Sequence, residues 1–567
     1  MKCQDSRRLT GPNLQSPNPG AIAEVCFEPG DVPERLIALW RAAIAELESV
    51  ISFSMGPLHT RFFDGGAALV CETEVDSLYS AVEANEWAIE TANARFHGRE
   101  GPSITAAVRA MEEVYDQERD SDLMALIQAA RAREIPCLWD DDHFSVGYGR
   151  FSKTWERTSL PDVHGVPWTD LKAIPVVMVT GTNGKTTTAR LAASILQWAG
   201  RTVGNSSTDG ISVSGQVIES GDWTGPGAAR AILRHTDVDV AVLEAARGGI
   251  LRRGLGIEVC NAALVTNISA DHLGDYGVLD CDAMAEAKGI VYRQVMDSGY
   301  RIVNVDDDRV RRVGLRTAET GLMAVSVHGR DAVSGFIDVG HPCFYYDGTA
   351  MVFEHGDHRE SIMDVADMPL AQGGAALHNI SNALGAMGLA WAVGAELDAM
   401  RGALSEFGRR WSDNPGRGQW THIDGVGVLM DFGHNPHGVD AALRTAKGVL
   451  EPGRRLSVSI AQAGDRSDED LQDLARAVAH FSPDRVVVRD LPEIYRRGRL
   501  ADEVARILQD SLTDCGVEKG SIERAASEVD ALKAGLAWAR PGDLLVHLVH
   551  VERDAVVAHL ASLGAPM

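Results

Sequence analysis

The sequence predicts an α/β protein in which parallel sheets form the second and third of three domains. From residue 174 onward, short apolar segments of strand length alternate with amphipathic helical segments, the pattern of a parallel sheet covered by helices. The 567 residues are too many for one hydrophobic core. The 57 glycines follow no collagen-like period and suit many tight strand-to-helix turns.

Residues 1–165 are predicted to form a small α+β domain. Prolines and a glycine make the first ten to twenty residues resemble a loop or a poorly ordered segment. Beyond them, helical and strand-like patterns alternate irregularly. The helical patterns cover residues 33–50, 75–93 and 123–133, and the strand-like segments lie near Thr60, near Ala67 and over 135–139. Residues 158–172 contain two prolines and Gly165, so we expect a linker there.

Residues 166–408 and 409–567 are predicted to form the second and third domains. The boundary falls in the polar stretch 408–418. In the second domain the expected strands are 176–180, 238–244, 262–267 and 301–305, and the expected helices are 186–199 and 379–393. A hairpin insertion is expected over 336–354. In the third, Rossmann-like domain the expected strands are 426–431, 456–461, 485–489 and 544–547.

Charge and composition exclude several classes of protein. A formal net charge of -26 disfavours binding to nucleic acid or to anionic membranes. It would tolerate a cationic or zwitterionic substrate, but a contribution to solubility is the preferred explanation of the charge. The eight cysteines form no C-x-x-C pair, and no apolar segment is long enough to span a bilayer. We therefore expect a cytoplasmic protein, and the sequence is compatible with a homo-oligomer.

A glycine-rich loop directly follows the apolar segment 176–180 and leads into a helix. Such a loop turns backbone N–H groups toward phosphate oxygens, and the helix N-terminus adds partial positive charge. The general phosphate-loop pattern has its first glycine where this chain has Val179. With a strand before it and a helix after it, the loop still predicts ATP binding. Its residues are Gly181, Thr182, Asn183, Gly184, Lys185, Thr186 and Thr187.

Carboxylates at the ends of neighbouring strands are candidates for a magnesium site. Lys185 would neutralise the terminal phosphates, and the Thr186 hydroxyl would bind Mg²⁺. Glu244 ends an apolar strand and precedes a glycine-rich turn, where a second magnesium ligand is expected. Asp271 and His272 follow the next strand, at the sheet edge where open α/β sheets bind their ligands. Spacing alone leaves His272 open between a ligand and a loop histidine.

Five motifs in order resemble the Mur ligase family, ATP-dependent enzymes that join an amino acid to a carboxylate. They are GTNGKTTT (181–188), LEAARGGILRRGLG (243–256), VTNISADHLG (265–274), HNISNALGA (378–386) and DFGHNPHG (431–438). Further segments resemble cyanophycin synthetases in particular. These are TDGISV (208–213), GDWTGPGAAR (221–230), PGRG (415–418), GDRSDEDL (464–471) and RRGR (496–499), with RRLTGPN (7–13) and residues 101–150 in the first domain. The ATP-grasp domain that those enzymes carry between these parts is missing after Arg150.

The resemblance implies roles for several residues. His272 would contribute to a second metal position. Lys288 matches a lysine that several Mur ligases carbamylate, although a surface helix lysine is the alternative. Asn382 would contact adenine, while Arg417 and Asp431 would close over the phosphates and ribose. His434 and Asn435 are weaker candidates.

For substrates, residues in the shared motifs beyond the phosphate loop are the candidates: Thr208, Asp209, Asp222, Thr224 and Arg247. Asp209 or Asp222 would suit a basic side chain, and Arg247 or Arg253 a carboxylate. The resemblance thus implies an ATP-dependent ligase that couples amino-acid-like or peptide substrates through an acyl-phosphate. The alternative is a non-catalytic partner of a full-length synthetase, in which loss of the phosphate loop or Glu244 is expected. Both are present.

Overall fold

The computed structural model describes residues 1–271 and 273–565. The N-terminal part contains a four-stranded antiparallel sheet in the order β1-β2-β4-β3 and a small three-stranded sheet β5-β6-β7. Its elements are β1 (Lys2–Leu9), β2 (Gly20–Cys26), α1 (Pro33–Glu48), β3 (Leu58–Phe63), β4 (Gly66–Glu72), α2 (Leu78–Phe96), α3 (Ile104–Glu118), α4 (Ser121–Arg131), β5 (Cys137–Trp139), β6 (His143–Val146) and β7 (Lys153–Glu156). Helices α1 and α2 bury Trp40 and Trp87 against the larger sheet.

The expectation of a loop-like N-terminus is wrong for residues 2–9, whereas residues 10–19 form an irregular connection. Residues 2–9 form strand β1, which pairs antiparallel with β2 along its whole length. The polar side chains of β1 suit an edge strand with one exposed face. The prolines lie in the connection to β2, where Asn13 closes the turn by accepting N–H bonds of 3.0 Å from both Gln15 and Ser16.

The central sheet has eleven strands in the order β11-β10-β9-β12-β8-β13-β14-β15-β16-β17-β18. Its strands are β8 (Val176–Thr180), β9 (Val203–Ser207), β10 (Gly210–Val213), β11 (Gln216–Ser220), β12 (Val240–Glu244), β13 (Cys260–Val265), β14 (Val295–Asn304), β15 (Leu322–Ser326), β16 (Cys343–Tyr346), β17 (Ala350–His355) and β18 (His358–Asp364). The helices around it are α5 (Lys185–Trp198), α6 (Pro226–Leu233), α7 (Arg247–Arg253), α8 (Cys281–Arg293), α9 (Asp308–Thr317), α10 (Arg330–Ile337), α11 (Leu377–Trp391) and α12 (Leu397–Glu406).

The predicted parallel sheet is confirmed from β9 to β16, with antiparallel hairpins at both edges. The hairpin expected over 336–354 begins later, because residues 336 and 337 end helix α10. Its strands also extend the main sheet, since β16 pairs parallel with β15. The expected linker 158–172 packs tightly, with Val166 and Leu171 buried beside α4.

The C-terminal part is a six-stranded sheet in the order β19-β20-β24-β21-β22-β23, parallel except for the edge strand β19. Its elements are β19 (Gln419–Ile423), β20 (Val426–Asp431), α13 (Pro436–Val449), β21 (Leu456–Ile460), α14 (Asp468–Ala479), β22 (Arg485–Arg489), α15 (Glu503–Asp514), β23 (Ile522–Ala525), α16 (Glu528–Trp538), β24 (Leu544–Leu548) and α17 (Arg553–Ser562). The α/β class is therefore confirmed. None of the described helices is long and apolar enough to cross a bilayer.

Candidate active site

The glycine-rich loop joins β8 to α5 in a shape that only glycine permits at two points. Gly181 has φ +148° and Gly184 has φ +85°. A Cβ atom at Gly181 would lie 1.8 Å from Thr266 Oγ1, and one at Gly184 would lie 2.1 Å from Asn382 Oδ1. Val179 is buried inside β8, which explains why the first glycine of the general pattern is missing. The glycine-rich loop is therefore shorter than the loop of the general pattern.

Residues directly after β13 form hydrogen bonds with this loop. The Thr182 N–H donates to the Asn267 carbonyl (2.9 Å), and the Asn183 N–H donates to Asn267 Oδ1 (3.0 Å). Thr266 Oγ1 donates to the Asn183 carbonyl (2.6 Å). The first amides of α5 have no carbonyl of their own helix to bind, so they remain for an anion. Sequence reasoning missed Asn267, although the loop's contact with the next strand end was the signal.

Glu244 lies at the end of β12, beside the start of α5. Thr186 Oγ1 donates to Glu244 Oε2, and Thr208 Oγ1 donates to Oε1, both at 2.9 Å. Glu244 is 3% exposed, and no Lys, Arg or His among the described residues forms an ion pair with it. Thr208, expected at the substrate, thus contacts the expected metal ligand instead.

Two lysines, one on α5 and one on α8, donate hydrogen bonds to carbonyl groups of the loop. Lys185 Nζ donates to the Thr182 carbonyl (2.9 Å), and Lys288 Nζ donates to the Gly181 carbonyl (2.7 Å). Lys288 is 4% exposed, so the alternative of a surface helix lysine is wrong. Burial, together with the charge of Lys185, lowers the pKa of Lys288 well below its usual value.

Asp209 is surrounded by three arginines from three different elements. Its carboxylate lies 3.1 Å from Arg190 Nη2, 3.0 Å from Arg553 Nη1 and 3.7 Å from Arg417 Nε. Burial raises the pKa of Asp209, but Arg417, Arg190 and Arg553 more than offset this and hold the pKa below its ordinary value. Arginines of the protein itself thus already match the charge of Asp209. We call these four residues the Asp209 cluster.

The Asp209 cluster connects α5 with the start of the C-terminal part and with α17. We expect Asp209→Asn to lower kcat/KM for ATP about tenfold, because three partly buried arginines lose their common carboxylate. Steady-state ADP release checks this, with the exposed Asp237→Asn as the matched control. An unchanged kcat/KM in Asp209→Asn would show that the cluster does not hold the two parts together.

The residues expected around adenine and ribose lie on α11 and in the C-terminal part. Asn382 is buried on α11 and accepts a 3.4 Å bond from Thr188 Oγ1. Asp431 accepts N–H bonds of 2.8 Å from Gly418 and from Gly433, and burial raises its pKa. The Arg417 guanidinium lies 4.7 Å above the Phe432 ring. These side chains therefore meet where the central and C-terminal parts face each other.

Further contacts cross this junction. The Asn183 and Asn435 amides bond reciprocally at 3.2 and 3.0 Å. Asp271 lies 3.0 Å from Arg466 Nη2 and 3.6 Å from His434 Nε2. Arg466 was not singled out in the sequence because its partner is 195 residues away. His272, expected at a second metal position, lies outside the described residues.

These elements enclose a cleft of about 1340 Å³. The glycine-rich loop lies on one wall, and Asp222, Thr224 and Arg247 lie further along. Asp222 is exposed, accepts a 2.7 Å bond from Thr224 Oγ1, and makes no ion pair within the described ranges. Arg247 pairs with Asp275 at 2.8 Å. The glycine-rich loop and side chains of both charge signs therefore line one cleft.

The fold and the glycine-rich loop fit a nucleotide-dependent ligase, and two family models match the chain. Residues 179–390 match the Mur ligase middle domain, and residues 416–548 match the glutamate ligase domain of Mur ligases. The chain belongs to the Mur ligase family of ATP-dependent acid–amino-acid ligases.

Individual relatives agree with this assignment. The cyanophycin synthetase of Crocosphaera subtropica is 35% identical over 66% of this chain, and that of Nostoc is 34% identical over 66%. The chain spans about two fifths of the length of these relatives, 42% and 41%. The structure of E. coli FolC with DHPP and ADP has a TM-score of 0.50 at 20% identity, covering 68% of this chain and 89% of FolC. That likeness concerns the fold.

Proposed function

We propose that this protein joins an amine to an amino-acid-like or peptide carboxylate through an acyl-phosphate, with release of ADP and phosphate. The observation that carries the proposal is that Lys185 and Thr186 line the same cleft as Asp222 and Arg247, with the buried Glu244 hydrogen-bonded to Thr186. One cleft thus offers groups for a nucleotide and groups for two charged substrates.

Glu244 supports a magnesium site at the phosphate end. A buried carboxylate that faces two neutral hydroxyls and one backbone N–H, but no positively charged ion-pair partner among the described residues, is costly unless a cation joins it. Thr186, Thr208 and Glu244 offer hard oxygen atoms, which suit Mg²⁺. When bound, Mg²⁺ would spread the negative charge of the phosphates.

The protein's own groups would act by positioning and charge neutralisation. The first amides of α5 and Lys185 would hold the γ-phosphate while a carboxylate oxygen attacks its phosphorus and ADP leaves. The amine then attacks the acyl carbon. The carbon–oxygen bond breaks, and phosphate leaves with the former carboxylate oxygen. Orienting both substrates in one cleft supplies much of the rate enhancement.

Lys288 supports this assignment as a buried group beside the loop. Its lowered pKa keeps a share of the amine neutral, and a neutral amine takes up carbon dioxide as a carbamate. We therefore propose Lys288 as a further catalytic group, with the carbamate as an anion that would bind a metal ion. Isotope-labelled bicarbonate followed by NMR of the protein detects such an adduct directly.

Asp222 supports a cationic amine as the incoming substrate. Its carboxylate is exposed in the cleft, whereas Asp209 is already paired with arginines. Arg247, Arg252 and Arg253 line the same region and suit the carboxylate substrate. These charge signs, together with the similarity to cyanophycin synthetases, make arginine and an aspartyl peptide the pair we propose first.

The test is a purified-protein screen of amines and carboxylates with ATP. We expect ADP and phosphate only when both substrates are present, and mass spectrometry should find the amide product. ADP release at the same rate without any carboxylate would contradict the proposal. So would the absence of ADP release with every amine–carboxylate pair, if the protein nevertheless binds ATP.

Replacing Asp222 by asparagine should raise the KM for a cationic amine about tenfold, since a charge-assisted bond is worth roughly 1.5 to 3 kcal/mol. The KM for ATP should stay within twofold, because Asp222 does not contact the loop. Kinetics with arginine and with the neutral analogue citrulline separate the effect. Equal loss for both amines would mean that Asp222 does not recognise the positive charge.

A further inference from the structure

Helix α7 carries the arginines of the substrate end but is a weak helix by itself. It has seven residues, Arg247–Arg253, with the sequence RGGILRR. Two adjacent glycines each disfavour the helix by roughly 1 kcal/mol, and helices this short are unstable alone. Arg247, Arg252 and Arg253 nevertheless line the cleft. Something outside the helix must therefore hold it.

The N-terminal part binds the end of this helix. Arg7 Nη2 donates to the Leu251 carbonyl (2.8 Å), and the Thr10 N–H donates to the Arg253 carbonyl (2.7 Å). Just beyond the helix, the Leu255 N–H donates to the Pro12 carbonyl (2.7 Å). The last carbonyls of a helix lack partners in their own helix, so the bonds to the Leu251 and Arg253 carbonyls act as its C-cap, and the Leu255 bond holds the segment that follows.

The segment around Gly11 packs closely against residues 254 and 255. A Cβ atom at Gly11 would lie 2.2 Å from the Leu255 carbonyl oxygen, and one at Gly254 would lie 2.6 Å from the Gly11 carbonyl oxygen. Arg7 is itself fixed by ion pairs with Glu24, at 2.9 Å, and with Asp5. The contact is thus built into strand β1 and does not depend on a loose surface side chain.

A second contact holds the loop that faces Arg247. Arg61 donates from Nη1 to the Gly277 carbonyl and from Nη2 to the Tyr276 carbonyl, both at 2.8 Å. The Arg7 guanidinium lies 4.6 Å above the Tyr276 ring. Tyr276 has φ +54°, a conformation that a non-glycine residue keeps only when its surroundings enforce it. The neighbouring Asp275 is the partner of Arg247.

We infer that the N-terminal sheet orders the carboxylate-binding end of the cleft, with Arg7 and Arg61 as positioning residues. Arg7 fixes the helix that carries the cleft arginines, and Arg61 fixes the loop that carries the partner of Arg247. This role in catalysis rests on the proposed function, whereas the ordering itself can be measured without any substrate.

Hydrogen–deuterium exchange of the full chain tests the ordering. Arg7→Met should speed exchange at residues 247–256 about tenfold, and Arg61→Met should do so at residues 274–278, because each removes bonds that close those segments. Exchange in α5 should not change. Arg41→Met is the matched control, since Arg41 donates two bonds within the N-terminal part, to the Leu58 carbonyl and Thr60 Oγ1.

Unchanged exchange at 247–256 in folded Arg7→Met, or equal acceleration in α5, would overturn the inference. Should Arg7→Met not fold because Glu24 loses its partner, Arg61→Met decides by the same criterion at 274–278. With an aspartyl peptide as the carboxylate probe, the KM for the peptide should rise about tenfold in Arg61→Met, while the KM for ATP stays constant. A matching rise in both KM values would also overturn the inference. Lack of turnover in the wild type would count against the proposed function, not against the exchange result.

Discussion

Replacement of Lys185 by alanine is expected to lower the rate of ADP formation about 10³-fold, the size of effect that follows loss of one preorganised charge at the reacting phosphate. Lys185 starts α5 and contacts only the Thr182 carbonyl among the described residues. Its removal therefore costs few native contacts. The change in rate should come almost wholly from the lost positive charge.

A coupled assay of ADP release measures this effect, and thermal unfolding verifies that the variant folds. Lys447→Ala, at an exposed position near the end of α13, is the matched control and should keep full activity. ADP formation within tenfold of the wild type in Lys185→Ala would show that this loop does not act on the transferred phosphate.

Replacement of Glu244 by glutamine should lower kcat by about 10²- to 10³-fold and raise the Mg²⁺ concentration needed for half-maximal rate. The amide keeps the size of the side chain, its oxygen can still accept from one of the two threonines, and its NH2 group can donate to the hydroxyl oxygen of the other. It cannot, however, supply the negative charge that a divalent cation requires. Structure is thus retained while the metal affinity falls.

Magnesium titrations at saturating ATP check this expectation. Glu219→Gln, on the exposed edge strand β11, changes the same group without a role in the cleft and is the matched control. A wild-type Mg²⁺ dependence in Glu244→Gln would place the metal elsewhere. It would also leave the two threonine hydroxyls as a merely structural arrangement.

The local parts of the site could be predicted from the sequence. The loop 181–187 and Glu244 follow directly from short apolar strands, and parallel strands bring their carboxyl ends to the same sheet edge. The structure accordingly brings Thr186 and Glu244 within hydrogen-bond distance. Their roles in catalysis remain predictions.

The long-range parts could not be predicted. Asp209 looked like a substrate residue because the sequence does not reveal Arg553, which lies 344 positions away. Lys288 looked equally like a surface residue because a helical pattern does not tell which neighbour covers it. Residues 2–9 looked loop-like because of the prolines and the glycine at 12–20 that follow them, and the polar face of an edge strand gave no apolar alternation to oppose that interpretation. In each case the surroundings of the residue are set by a segment that is distant in the sequence, and the local pattern does not show that segment.

The fate of the carboxylate oxygen tests the central claim most directly. With an ¹⁸O-labelled carboxylate substrate and ATP, an acyl-phosphate route predicts one labelled oxygen in the released phosphate for each amide bond formed. Lys185→Ala and Glu244→Gln should lower label transfer and amide formation together. Amide product with unlabelled phosphate, or with AMP and pyrophosphate in place of ADP and phosphate, would contradict the account.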